Sequence, residues 1–195
     1  MLTTLHPRAW RARFRSKAQA IPADERGVSA IEFALIFPLL IALLAGTVDI
    51  GQALMVSRKM NQVVATLGDM TSQKSAWTSA DINAIIAGTA TIIQPFSQND
   101  LKIDLAIVDV AADKTTKVSW AKGYNKPALA KNAASPVAIP TDIAEPGVQL
   151  ITVRATYRLT TPFSSLLKPI TGVTSYGYNK TYIMRPRIKD TVTLD

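Results

Sequence analysis

Cysteine is absent from this chain, and histidine occurs once, at His6. The first absence excludes a disulfide framework, a thiolate metal site, an iron–sulfur cluster and a cysteine nucleophile. The second removes the Ser-His-Asp triad and the histidine-rich zinc centre, because His6 sits in a basic N-terminal stretch rather than in a globular core. The nine glycines are scattered and form no phosphate-cradling loop. Acidic residues are also sparse, 14 against 22 Lys and Arg. What is present is 195 residues, 48% of them apolar, enough for one modest domain with additional segments.

The positive charge is unevenly placed. Arg8, Arg11, Arg13, Arg15, Lys17 and Arg26 face only Asp24 and Glu25, so half of the net +8 lies within the first 26 residues. A basic chain on its own suggests nucleic acid. Here the basic stretch leads into Phe33–Val48, FALIFPLLIALLAGTV, which carries no charge. Extended to Ala30–Ile50, the run would make about 31 Å of helix, long enough to cross a hydrocarbon core. Glu32 and Asp49 are the two charges included at its ends. Pro38 lies inside, and membrane helices tolerate proline where neighbours repair the freed carbonyl. The basic cluster before the run predicts a cytoplasmic N-terminus and an extracytoplasmic C-terminal part. The run is long for a cleaved secretory signal, and no convincing A-x-A site follows it. Leu44-Ala45-Gly46 would suit a lipoprotein signal, but Thr47 occupies the position of the lipid-bearing cysteine.

Between leader and apolar run stands Arg26-Gly27-Val28-Ser29-Ala30-Ile31-Glu32-Phe33. Glycine, four small or apolar residues, then glutamate and an aromatic opening a hydrophobic helix resemble the prepilin processing site. With Glu-Phe followed by ALIFPLL, the segment resembles the TadE/TadG-like pseudopilins of the tight-adherence (Tad) pilus. The similarity extends more weakly through Val118-Ser119-Trp120, a proline-bearing loop, Gly147, Tyr157, Pro162 and the closing Tyr182-Ile-Met-Arg-Pro-Arg187. The resemblance implies cleavage by a membrane aspartic prepilin peptidase between Gly27 and Val28, making Glu32 the fifth residue of the mature chain. It also implies a minor pseudopilin of the short TadE or TadF type, acting in pilus assembly, adhesion and biofilm formation. Its partners would be the peptidase, other Tad minor pilins and the major pilin, and the inner-membrane assembly platform, with no cofactor. The C-terminal domain would then be periplasmic.

Physical chemistry bears on the same residues. Gly27 would offer a protease unhindered access to extended backbone. An ionisable group such as Glu32 inside the edge of a membrane helix costs a few kcal/mol unless shielded or paired, roughly speaking. After cleavage the Val28 ammonium, on a neighbouring subunit, could supply that pairing. The plainer reading of Glu32 is a side chain that snorkels to the interface. Pro38 and the small residues Ala42, Ala45 and Gly46 are the candidate packing positions, since small side chains let membrane helices approach closely.

Beyond the run, Ala53, Val56, Met60, Val63, Leu67 and Met70 recur at spacings of three and four, predicting a continuous helix over 28–72, about 68 Å long. That stripe is expected to pack on the chain's own domain in its outer half. Thr78 or Ser79 should cap a second helix carrying Ile82, Ile85, Ile86 and Ile93, ended by Pro95. Leu101–Ile107 alternates as a strand, with further strands expected over 117–122, 148–159 and 175–184. Residues 124–147, with Pro127, Pro136, Pro140 and Pro146, read as a long loop. The fold class is α+β: a long N-terminal helix, membrane-spanning in its first half, followed by a small helix and an antiparallel sheet in 76–195.

No catalytic constellation emerges. Asp104, Asp109 and Asp113 could suggest calcium, but they lack the dense D-x-D-x-D-G loop and read as solvated strand and turn residues. Tyr176, Tyr178 and Tyr182 share a strand face and suit packing or a subunit contact. Arg185, Arg187 and Lys189 read as a solvated basic end. Two rival readings are an uncleaved, signal-anchored binding domain or enzyme of the cell envelope, and a nucleic-acid binder using residues 8–17. The second conflicts with the apolar run that follows and with the lack of an aromatic-interleaved basic face.

Overall fold

A computed structural model describes residues 25–195. The basic leader positions up to residue 24 lie outside the described residues. The chain divides into two compact units, Met1–Ala45 and Gly46–Asp195.

Helix α1 spans Glu25–Ser72, with Pro38 inside it. In the first unit its side chains are apolar and exposed at nearly every position, among them Val28, Ile31, Phe33, Leu35, Leu39 and Leu43. Phe33 and Phe37, one turn apart, pack ring against ring with centroids 5.2 Å apart.

The second unit is a four-stranded antiparallel sheet with helices on one face. Its strands are β2 (Leu101–Val110), β3 (Thr116–Tyr124), β4 (Gln149–Leu159) and β5 (Tyr176–Met184), in the order β3-β2-β4-β5. The β2–β3 hairpin closes where Lys114 takes φ 62° and Asp113 Oδ1 accepts from the Thr115 N–H (2.9 Å) and hydroxyl (2.6 Å). Between β1 (Ala76–Trp77) and β2 lies α2 (Ser79–Ala90), capped by Thr78, whose Oγ1 accepts from the Asp81 N–H at 3.1 Å. A 3-10 turn over Thr91–Ile93 continues it, and Pro95 follows. A short helix, α3 (Ser164–Thr171), joins β4 to β5, and β6 (Thr193–Leu194) runs parallel to β1.

The core lies between the sheet and the helices. Val56, Met60, Val63, Val64 and Leu67 of α1 and Ile82, Ile86 and Ala90 of α2 meet Ile103, Leu105, Ile107, Ile151, Val153 and Ala155. Each of the Val, Leu, Ile and Met side chains among them contributes about 1.5–3 kcal/mol on burial, so this interface dominates the unit's stability. The predicted stripe therefore packs on the chain's own domain. Its outermost member, Met70, is exposed, and Ile85 of α2 is half-buried.

The opposite sheet face is covered by the segment expected as a loop. Residues 124–147 carry Leu129, Ala133 and Ile139 onto Ala106, Val108 and Val118, and Ala144 onto Val110 and Leu150. Backbone bonds hold the cover in place: Asn132 N–H donates to Val118 O (2.8 Å) and Val118 N–H to Ala133 O (2.9 Å). The α+β class stands, while β1, β6 and α3 have no counterpart in the sequence-based reading. Two-residue strands carry no periodicity, and the α3 sequence SSLLKPIT contains a proline that reads as a breaker.

Candidate functional site

The Gly27–Val28 bond lies in the first turn of α1. This corrects the expectation of extended backbone there: the bond is helical, at an end whose first N–H groups have no intrahelical acceptor and where unwinding costs least. A Cβ built on Gly27 would meet nothing within 4 Å, so nothing in the described chain requires glycine at this position. Val28 and Glu32 stand one turn apart on the same helix face, both exposed. Phe33 is exposed beside them, in contact with Phe37.

Further along, Pro38 is exposed, Ala42 and Gly46 are half-buried and Ala45 is buried. Four glycines interrupt α1. A Cβ at Gly46 or Gly51, like one at Gly27, would have nothing within 4 Å, whereas at Gly68 it would lie 2.8 Å from the Tyr182 ring. Gly68 alone among the four has a close neighbour inside the chain, the Tyr182 side chain of β5. Glycine elsewhere in α1 costs about 1 kcal/mol per position relative to alanine without any compensating contact among the described residues.

Asp49 departs most from its sequence-based reading. Counted there as a charge included in the apolar run, it is only 2% exposed, and it belongs to the second unit. Thr161 Oγ1 donates to its Oδ2 at 2.6 Å, and the Phe163 N–H donates to its Oδ1 at 3.4 Å. Ser164 Oγ in turn donates to Thr161 O at 2.9 Å. The carboxylate thus fastens α1 to the β4–α3 connection by charge-assisted hydrogen bonds. Sequence reasoning missed this role because 112 residues separate the partners and no local pattern links them. The one available signal was an acid placed where the apolar run ends.

The tyrosines of β5 share the helix-facing side, as their even spacing predicts. Tyr178 OH donates to Ala53 O at 2.9 Å, and burial pushes its phenol pKa up. Tyr176 packs at the edge of the core, and the Tyr182 ring sits against Gly68. They join strand to helix inside one chain.

Asp104, expected in solvent, is buried. Its Oδ2 accepts from Lys126 Nζ at 2.7 Å, while its Oδ1 has no partner. Asp109 accepts from Gln149 Nε2 at 2.7 Å, and Asp113 serves the hairpin turn. The three acids thus have three different local roles, and among the described residues no three His, Cys, Asp or Glu side chains converge as a metal set. Arg185 and Arg187, expected as a solvated end, are exposed but engaged: Arg185 pairs with Glu145 at 2.7 Å and Arg187 with Asp69.

One helix among the described residues, Gly27–Ser72, is long and apolar enough to cross a membrane. Its apolar half is almost entirely exposed within the chain, unlike the buried core helix of a soluble domain. A single-pass membrane anchor is the reading this helix supports. Residues 27–67 match the TadE-like protein family. The TadE-like segment begins at the glycine of the candidate processing site and ends at Leu67, within the helix–sheet core. It associates the chain with Tad pilus machinery. No curated protein and no solved structure matches the chain.

Proposed function

We propose that this protein is a minor pseudopilin of a Tad-type pilus, made as a membrane-anchored precursor and trimmed between Gly27 and Val28 by a prepilin peptidase. The observation that carries the reading is the TadE-like match opening at Gly27, on a helix whose first half exposes apolar side chains on all sides. Such a helix requires lipid or other helices as its surroundings. Gly27 has no structural reason within the described chain, which favours a recognition role at that position.

In this mechanism the leader stays cytoplasmic and the helix–sheet domain is periplasmic, as the basic leader favours. Cleavage creates an ammonium on Val28. The Glu32 carboxylate of a neighbouring subunit neutralises it when the helices exchange lipid for one another, where low dielectric strengthens the pair. Pro38, Ala42 and Gly46 shape the contact among these helices, whereas Ala45, expected to join them, is buried in its own chain and has no surface to offer. Other minor pilins, the major pilin and the assembly platform are the partners. The role in this reading is structural, in assembly, adhesion and biofilm formation.

The test is the N-terminus of the protein in membrane and pilus fractions of a pilus-producing cell, read by mass spectrometry. A chain starting at Val28 is expected, and a retained leader overturns the proposal in favour of an uncleaved anchored domain. Glu32→Ala should leave processing intact while reducing piliation severalfold. Normal piliation in that variant would remove the pairing step.

A further inference from the structure

We propose that α3, Ser164–Thr171, lies in the headgroup layer of the bilayer and gives the domain a second, peripheral contact with anionic phospholipid. The inference rests on the reading of α1 as a membrane anchor. Three observations carry it. The apolar run ends at Val48, and its last residues from Gly46 belong to the same compact unit as α3. The next residue, Asp49, accepts hydrogen bonds from Thr161 and Phe163, so the residue preceding α3 is held within one side-chain length of the outer end of the run. A hydrocarbon core is about 30 Å thick and the headgroup layers add roughly 5–7 Å on each side, so a segment tied to α1 at this level sits at headgroup depth.

The composition of α3 and its flanks suits that depth. Leu166 is 54% exposed and Val173 is 37% exposed, while Leu167 and Ser164 are buried and fasten the helix to the domain. Lys168 is exposed, and no Asp or Glu occurs between Glu145 and Asp190. Exposed apolar side chains beside a lysine, on a short helix free of acid, fit an interface of acyl chains and phosphates. Here Asp49 has a mechanical consequence: buried and bonded, it holds the start of α3 beside the end of the apolar run.

The absence of native cysteine makes the test direct. Single-cysteine variants of the full chain, Leu39→Cys, Leu166→Cys, Val173→Cys and Ala112→Cys, are spin-labelled. They are reconstituted in phosphatidylcholine vesicles with and without phosphatidylglycerol. Collision with oxygen, which partitions into lipid, is compared with collision with a water-soluble nickel chelate. Labels at 166 and 173 are expected to show a severalfold higher oxygen-to-nickel ratio than the label at 112 on the β2–β3 turn. That ratio should rise with phosphatidylglycerol and lose the rise in Lys168→Gln. If 166 and 173 match 112 while 39 is in lipid, the α3 proposal fails and the anchor stands. If 39 is also aqueous, both fail. If 166 and 173 are shielded from both reagents, protein rather than lipid covers α3, and the proposal is overturned.

Discussion

Gly68 and Gly123 both sit closer to a neighbour than a methyl group permits, yet they should respond differently to one. A Cβ on Gly123 would lie 2.4 Å from Lys126 O and 2.9 Å from Pro127 O, both backbone atoms of the turn that starts the sheet cover. Backbone cannot step aside without dismantling that turn, so Gly123→Ala should destabilise the protein by about 2–3 kcal/mol. A Cβ on Gly68 meets the ring of Tyr182, an exposed side chain able to swing, and alanine favours the helix by up to about 1 kcal/mol. Gly68→Ala should therefore stay within about 1 kcal/mol of the parent. Chemical unfolding of the detergent-solubilised chain distinguishes the two. Asp49 supplies a third residue-scale test. Its removal leaves the buried Thr161 hydroxyl without its acceptor, so Asp49→Ala should cost about 2 kcal/mol, with Asp49→Asn, which keeps an acceptor, costing less. A parent-like midpoint for Asp49→Ala would deny the carboxylate a structural role.

At the scale of elements, the cover over residues 124–147 is joined to the end of β5 by the Glu145–Arg185 pair. The hydrogen bond from Arg185, aided by its charge, holds the Glu145 carboxyl below its ordinary value, and in the turn the Thr115 hydrogen bonds do the same for Asp113. A carboxyl whose folded pKa lies below its unfolded pKa contributes stability that is complete above the unfolded value. That contribution is lost as pH falls through the folded value. Both groups are exposed and screened, so the effect is small. Acid titration of stability should show a shallow decline below the ordinary carboxylate range, and Glu145→Gln together with Asp113→Asn should flatten it. An unchanged acid slope in the double variant would assign the decline to other carboxylates. At this same scale the sequence was readable where one face repeats. The α1 stripe and the alternation of β2 each announce a buried side. The tip strands β1 and β6 were unreadable because two residues show no period, and the cover was unreadable because its prolines mark turns without naming what they turn towards.

For the molecule as a whole, charge and grease are divided along the chain. Half of the net +8 precedes the proposed cleavage point, so processing after Gly27 should roughly halve the net charge along with removing the leader mass. Two-dimensional gels of cells with and without active prepilin peptidase should show an acidic shift of the processed form. A single basic species in both would argue that the leader is retained. Whole-molecule organisation also explains why the candidate site was legible in advance. Its features — a glycine, a glutamate four residues after Val28, an apolar run — are contiguous in sequence, so no fold is needed to bring them together.

The sequence by itself determined the apolar run, the basic leader before it, the helical and strand periods and the α+β class, because each is a local pattern of side chains against a regular backbone. Tertiary structure alone decided the roles of Asp49, Asp104 and Gly68. Each depends on a partner brought from elsewhere in the chain, Thr161, Lys126 and Tyr182 respectively. Whether a charge is solvated or buried, or a glycine idle or required, depends on what lies opposite it, and only folding sets that neighbour.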